Sequence, residues 1–259
     1  MGNGSSWSDA TGDLALALNN ANAGAQVWVA NGTYKPTNST DRSMSFQVKD
    51  GVRVYGNFNG TENSIEQRTT ATTATILSGE IGQPGQHDNV YNVVYLKNVS
   101  EKTVLDGFLI TGGNANGQAN ESLNTRCGGG MFIDGENGSS KPIISNCEFR
   151  NNLGRDGAAV YNNGRKGESS PIFVNCIFKS NEAGLDGGAM YNDGRLKGKS
   201  SPSLTNCTFE RNMGTYGGAI CNATEDGTCN VTLENCTFNE NAAYLRGGAV
   251  FSLNGDEKC

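Results

Sequence analysis

The carboxylates with the most suggestive spacing are Asp156 and Asp186, which precede the same glycine run in two successive copies of a repeat. If the copies stack, the two side chains lie close together, and such a pair can act as general acid and base on a sugar. Their oxygens would also suit calcium, the one cofactor that this pattern allows. Other copies carry Cys127, Tyr216 and Arg246 at this position. That variation favours a polar turn repeated by duplication over a catalytic pair.

Two basic loops, residues 163–171 and 193–202, occupy corresponding places in consecutive copies. We expect their cations to share one side of the molecule: Arg165, Lys166, Arg195, Lys197 and Lys199. A polysaccharide lyase would use such cations, Arg195 together with the two aspartates, to neutralise a uronate and remove its proton. A binding surface would use them to hold an acidic glycan. Two solvated loops that arose by duplication are the simpler interpretation.

The eight cysteines lack the spacing of a metal site, since there is no Cys-x-x-Cys motif and His87 is the single histidine. We therefore predict no zinc or other metal centre of this kind. Cys221 and Cys229 flank a short polar loop and could form a disulfide, and Cys259 offers a rival partner for Cys229. Four more recur in register, and we predict buried free thiols there, because parallel neighbours fit disulfide geometry poorly: Cys147, Cys176, Cys207 and Cys236.

A repeat of 29 to 31 residues must position all of these groups. The motif Asn-Cys-x-Phe-x-x-Asn begins at Asn146, Asn175, Asn206 and Asn235, and glycine runs begin at Gly128, Gly157, Gly187, Gly217 and Gly247. A constant period of this size predicts a stacked solenoid. Three short strands and three bends per copy would form one coil of a parallel β-helix, with coils about 4.8 Å apart.

Stacked copies place like residues in columns. Alternation of Cys and Phe with polar residues predicts that both point inward, and the phenylalanine column is Phe149, Phe178, Phe209 and Phe238. Asparagines form a column at the motif start and a second one at its end: Asn152, Asn181, Asn212 and Asn241. Asparagine tolerates the left-handed backbone of a sharp bend and can bond to the same amide one coil away. The glycine pairs permit a tight backbone turn.

The whole chain, residues 1–259, is predicted to form a single β-helix domain built around this repeat. Residues 1–34 are predicted to hold a capping helix over 13–23 and the first strand, residues 35–127 irregular coils with loops, and residues 128–259 the regular repeats. Residues 247–259 match 217–229 and stop in mid-coil. We therefore expect a piece of a longer protein, or association of another chain with the open C-terminal coil.

Composition excludes several classes of function. The net charge is −6 and the pI about 4.9, so a nucleic-acid partner is not expected. No run of 18 apolar residues exists, so no transmembrane helix is expected. The 36 glycines occur without a Gly-x-y period, which excludes collagen. No Thr-x-Thr column recurs, which argues against an ice-binding face.

The repeat resembles the polymorphic outer-membrane protein repeats. The resemblance rests on Gly187-Gly-Ala-Met190, Gly217-Gly-Ala-Ile220 and Gly247-Gly-Ala-Val250, each paired with a Phe-x-x-Asn tetrapeptide such as Phe209–Asn212. Segments such as Gly51-Val-Arg-Val-Tyr-Gly56 and Leu105-Asp-Gly-Phe108 are similar to the opening of bacterial surface proteins of the pectate-lyase-like superfamily. The resemblance implies a right-handed parallel β-helix exposed outside the cell, often serving in adhesion, and does not imply catalysis.

Together these observations predict a non-enzymatic, secreted or cell-surface structural and adhesive module, associated with an outer membrane. Its exposed flank would bind a protein partner or a glycan at the cell surface. The alternative is a carbohydrate-active enzyme, a lyase or hydrolase acting on an acidic polysaccharide. A groove lined by charged residues from several coils would favour the enzyme.

Overall fold

The chain forms a parallel β-solenoid of about seven turns with a short N-terminal helix, as the repeat predicts. The computed structural model describes residues 2, 4–69 and 74–253, so Cys259 and its rival pairing lie outside the described residues. Like strands of successive coils pair in parallel and in register, and this pairing builds long sheets along the rod.

Three seven-stranded sheets form most of the wall. Sheet A contains Gln26–Ala30, Arg53–Phe58, Val104–Asp106, Ile143–Ser145, Ile172–Val174, Ser203–Thr205 and Thr232–Glu234. Sheet B contains Gly32–Tyr34, Thr75–Ser78, Leu109–Thr111, Glu148–Arg150, Ile177–Lys179, Thr208–Glu210 and Thr237–Asn239. Sheet C contains Phe46–Gln47, Val94–Lys97, Met131–Asp134, Val160–Asn163, Met190–Asp193, Ile220–Ala223 and Val250–Leu253.

A fourth sheet of five strands adds a further strand to five of the coils. Sheet D contains Asn114–Ala115, Leu153–Gly154, Glu182–Ala183, Met213–Tyr216 and Ala242–Arg246. These strands lie between the asparagine bend and the glycine run. Several of them have only two residues, too few to show an alternation of polar and apolar residues, so the sequence did not predict them. A further two-stranded pair joins Ser139–Ser140 to Glu168–Ser169.

The N-terminal helix α1 spans Leu14–Asn20, shorter than the 13–23 predicted. Asp13 caps it by accepting a hydrogen bond from the backbone N–H of Leu16 at 2.9 Å. Ala21 is already extended, so the helix ends before Gly24. Leu14 and Leu18, one turn apart, are buried and belong to the main core, so α1 closes one end of the solenoid. A second short helix, α2, spans Leu123–Arg126, and single 3₁₀ turns occur at Trp7–Asp9 and Ile65–Gln67.

The recurring cysteines and phenylalanines line the interior. Cys147, Cys176 and Cys207 are buried free thiols, and Cys236 is partly buried. The phenylalanine rings stack along the axis, with centroids 5.1, 4.5 and 4.8 Å apart from Phe149 through to Phe238. The stacking fills the rod with a continuous apolar column.

The buried asparagines form a hydrogen-bonded ladder. Asn152 donates from both its backbone N–H and its Nδ2 to Asn181 Oδ1 at 3.1 Å, and Asn181 repeats the pattern with Asn212. The left-handed backbone expected at this column is one residue earlier, at Asn151, Ser180, Arg211 and Glu240. The buried asparagine is therefore chosen for its amide, while the preceding residue makes the turn.

The asparagines that begin the motif do adopt the left-handed conformation. Their φ is 51° at Asn146 and 54° at Asn175 and Asn206. Asn175 Nδ2 donates to Asn146 Oδ1 at 3.2 Å, so this ladder runs along the surface. A third ladder lies inside sheet C, where Asn162 donates to Asn192 and Asn192 to Asn222. Steps of 30 residues between these three are visible in the sequence.

The two glycines of the run at Gly187 meet two different requirements. Gly187 has φ of 64°, a conformation that L-residues seldom adopt. A Cβ on Gly188 would lie 2.2 Å from the carbonyl oxygen of Gly218 in the next coil. The first glycine makes the turn and the second allows the coils to pack.

Candidate functional site

The outward face of sheet C carries an aromatic column that the sequence reading missed. Tyr95, Phe132, Tyr161 and Tyr191 pair in register, with stacked rings 5.8, 5.2 and 5.2 Å apart. The last three are buried, in a second apolar cluster that also contains Cys127 and Cys221. Cys221 pairs with Tyr191 in register and so occupies an aromatic position of this column. Two of the polar groups described below, at Asp156 and at Asp193, contact this second core.

The two predicted carboxylates lie along one edge of the second core, one coil apart. The backbone N–H of Asp186 donates to Asp156 Oδ1 at 3.2 Å, and that of Tyr216 donates to Asp186 Oδ1 at 3.2 Å. Asp156 is 5% exposed and Asp186 2%. Each carboxylate therefore ties its coil to the next, which is the role of a structural turn position. Neither is presented to solvent as a catalytic acid or a ligand for calcium would need.

Asp156 nevertheless has unusual acid–base chemistry. Burial raises the pKa of Asp156 to about 6; the nearby Arg155 opposes this shift, and the carboxylate of Asp186 adds to it. The Cys127 thiol donates to Asp156 Oδ2 at 3.6 Å, and burial raises the pKa of that thiol well above its usual value. Among the described residues, no group of three His, Cys, Asp or Glu side chains could hold a metal ion.

Asp193 is the centre of a second polar group on the other edge of the aromatic column. It is fully buried, and its Oδ2 accepts from the Tyr161 hydroxyl at 2.6 Å. Arg195 donates to both carboxylate oxygens, from Nε at 2.9 Å and from Nη2 at 2.8 Å. These bonds raise the pKa of Arg195 above its ordinary value. The guanidinium, 5.9 Å above the Tyr191 ring, is thus held by Asp193 and not by the two predicted aspartates.

Asp193 was not singled out in the sequence, although a signal existed. Asp134, Asn163 and Asp193 recur at steps of 29 and 30 residues and pair in register on sheet C. Asn163 donates to Asp134 at 3.0 Å, so the column is a polar ladder flanking the tyrosines. The period could have identified it, but the burial of its members depends on the second core.

The two basic loops lie on one flank in consecutive coils. The backbone N–H of Lys199 donates to the carbonyls of Gly164 and Gly167, which locks the second loop onto the first. Glu168 forms ion pairs with Lys199 at 2.9 Å and with Lys141 at 2.7 Å. Lys166 and Lys197 are exposed at left-handed loop tips. We call Arg165, Lys166, Arg195, Lys197 and Lys199 the basic flank.

Cys221 and Cys229 are free thiols, so the possible disulfide between them is not formed in the structure. Cys221 packs in the aromatic column. Cys229 Sγ donates instead to the carbonyls of Asn192 at 3.3 Å and Ala223 at 3.1 Å. Ser200 donates to the carbonyl of Asn162 in the same way one coil earlier. Cys229 therefore takes a serine position in a column of buried donors.

The last described coil exposes apolar side chains, among them Leu233, Tyr244, Leu245 and Val250. Association through this coil stays a prediction. In the part of the chain that the structure describes, no helix has the length and apolar character needed to cross a bilayer. A nucleic-acid partner is not indicated.

Comparison with known proteins identifies the architecture. Residues 137–258 match a family model described as "Right handed beta helix region", which covers slightly under half of the chain. No curated protein and no solved structure was found to match. The match agrees with the coils seen here and is to the right-handed β-helix in general. The molecule is thus a right-handed parallel β-helix.

Proposed function

We propose that this β-helix is a non-enzymatic structural and adhesive module that binds a partner, foremost an acidic glycan, through its basic flank. One observation carries the proposal. The two loops that form the flank hold five cations against two carboxylates, Glu168 and Asp193, in a chain whose net charge is −6. Local positive charge on an acidic molecule attracts an anionic partner to one place and fixes its orientation.

The accessibility of the lysines supports the same proposal. Lys166 and Lys197 lie at exposed loop tips one coil apart. Neither lysine forms an ion pair with a carboxylate of the described residues. Stacked coils repeat at about 4.8 Å, so the flank presents charge at regular intervals along the rod. An extended anionic chain lying along the axis could contact several coils at once.

The alternative, a lyase or hydrolase acting on an acidic polysaccharide, is less well supported. It needs a carboxylate that reaches substrate, whereas Asp156 and Asp186 are buried and bond to backbone N–H groups. Arg195 is held by Asp193. The open depression around Arg211 and Met213 is lined by neither of these aspartates nor by Arg195.

A location outside the cell, secreted or associated with an outer membrane, is part of the proposal. It is supported by the resemblance of the repeat to that of surface proteins. The adhesive role follows from the same resemblance together with the long, regular flanks of the rod.

Binding to immobilised acidic and neutral glycans, measured at several salt concentrations, tests the proposal. We expect binding to acidic glycans that weakens as salt rises. Lys166→Glu and Lys197→Glu should each weaken it, whereas Lys35→Glu, the same charge change at an exposed lysine outside both loops, should not. Equal loss in all three variants, or equal binding to neutral glycans, would contradict a specific role of the flank.

A further inference from the structure

Arg165 is the least satisfied charged group of the basic flank. Its Nε is buried without a hydrogen-bond acceptor among the described residues. Its ion pair is a long one, 3.8 Å from Nε to Asp193 Oδ2, and its side chain is 30% exposed. Burial of this nitrogen removes its hydrogen bonds to water and provides no acceptor in return, which is energetically unfavourable and rare in folded proteins.

Asp193 cannot supply that acceptor, because its oxygens are already occupied. Oδ1 accepts from the Arg195 backbone N–H and Nε, and Oδ2 accepts from Arg195 Nη2 and the Tyr161 hydroxyl. Two guanidinium groups therefore share one buried carboxylate. The tyrosine remains neutral, since burial raises the pKa of Tyr161 well above its usual value. The group keeps one uncompensated positive charge, on Arg165.

The loop one coil earlier forms no direct ion pair with Arg165 among the described residues. Glu136 occupies the matching loop one coil earlier, and its Oε2 accepts from Asn163 Nδ2 at 3.3 Å. Within the described residues, no ion pair of 4 Å or less joins Glu136 to Arg165. The guanidinium is thus partly desolvated and open to solvent on its remaining side, with exposed Lys166 next to it.

We infer that Arg165 is an oxyanion site, and that it takes the carboxylate or sulfate group of an acidic glycan. The inference rests on the proposed function and names the chemical group that the flank recognises. The planar guanidinium of an arginine matches the two oxygens of a carboxylate or sulfate. Its buried Nε faces Asp193, so the oxyanion would bind the part of the guanidinium that remains exposed. Asp193 is buried and lies 3.8 Å from Arg165 Nε, so it anchors Arg165 as well as the half-buried Arg195, and Lys166 adds a second charge beside them.

The test follows the Nε–H resonance of Arg165 by NMR while sodium sulfate or sodium glucuronate is added to the full chain. Sodium chloride at equal ionic strength is the reference. We expect one or both oxyanions, and not chloride, to shift this resonance in a saturable way. Arg165→Gln should weaken oxyanion binding about tenfold or more. Arg150→Gln, which removes an arginine paired with Glu148 on sheet B, should leave it unchanged.

A second variant keeps the inference testable if Arg165→Gln does not fold. Glu136→Gln removes the negative charge of the matching loop one coil earlier and should strengthen oxyanion binding by about twofold to threefold. A weaker or unchanged affinity in Glu136→Gln, an unshifted Arg165 resonance, or wild-type affinity in Arg165→Gln would each overturn the inference.

The two proposals can fail separately. If acidic glycans bind the flank and Arg165→Gln binds them as tightly as the wild type, the proposed function stands and the oxyanion site does not. If sulfate or glucuronate binds Arg165 while no glycan binds the protein, the site stands and the proposed function fails.

Discussion

Tyr161 donates its hydroxyl hydrogen bond to Asp193 of the next coil at 2.6 Å, and both residues are buried. The bond joins the aromatic column of the second core to the polar group beneath the basic flank. Because Asp193 in turn holds Arg195, the position of the flank depends on a contact made inside the wall of the solenoid. The position of Arg195 therefore depends on the buried wall of the solenoid as well as on the loop that carries it.

Removal of this hydroxyl should destabilise the protein. Tyr161→Phe keeps the ring stacking but takes one donor from a buried carboxylate, which costs about 1 to 3 kcal/mol of unfolding free energy. Tyr244→Phe is the matched control, since Tyr244 is largely exposed. Urea unfolding followed by circular dichroism measures both. A Tyr161→Phe midpoint equal to that of the control would show that the bond contributes nothing to stability.

Asp156 should make stability fall as pH rises. Its pKa is raised to about 6 in the folded protein, so the folded state binds a proton more tightly than the unfolded state. The protonated form is favoured at low pH, and this contribution is lost as pH rises through 6. Asp156→Asn removes the buried charge and should raise the unfolding free energy at pH 8 by on the order of 2 kcal/mol.

At about pH 3, below the ordinary aspartate pKa of about 3.9, the same variant should differ little from the wild type, because the carboxyl is then protonated in both the folded and the unfolded state. Thermal unfolding of both proteins between about pH 3 and pH 8 provides the comparison. A difference that stays constant across this range would mean that Asp156 does not titrate there.

Loss of an asparagine should lower the unfolding free energy more in the buried ladder than in the surface ladder. Asn181 bonds both to Asn212 Oδ1 at 2.9 Å and to the Phe149 carbonyl at 3.0 Å, and it is buried. Asn181→Ala leaves several buried groups unpaired and should cost about 3 kcal/mol or more. Asn175→Ala, on the exposed ladder, loses two surface bonds, to Asn146 and from Asn206, and strains a left-handed residue, at about 1 to 2 kcal/mol. Equal losses in chemical denaturation would be inconsistent with this assignment.

The cysteine positions predict an asymmetric response to serine. Cys229 already sits in a column of serine donors, so Cys229→Ser should change stability by less than about 1 kcal/mol. Cys221 packs between aromatic rings, and Cys221→Ser places a hydroxyl there at a cost of about 1 to 3 kcal/mol. Titration of thiols in denaturant without reductant should find both cysteines reactive. A count lower by two that is restored by reductant would indicate a disulfide.

The constant period made the fold predictable, since a column repeated at 29 to 31 residues can only be a stacked coil. It also placed Asp156 next to Asp186 and one basic loop upon the other. The period does not show whether the outward face of a strand is exposed to solvent or buried by other residues. Tyr161 and Asp193 alternate with core residues and so look exposed in sequence, but a second core buries them. For the same reason the desolvation of Arg165 has no sequence signal.

The central claim is that the basic flank binds acidic glycans without cleaving them. A single incubation with uronate-containing polysaccharides, read for bound protein, unsaturated products and reducing ends, tests it most directly. We predict binding with no new chain ends, and binding retained by Asp156→Asn. Cleavage by the wild type that is abolished in Asp156→Asn, Asp186→Asn or Arg195→Gln would contradict the account and identify an enzyme.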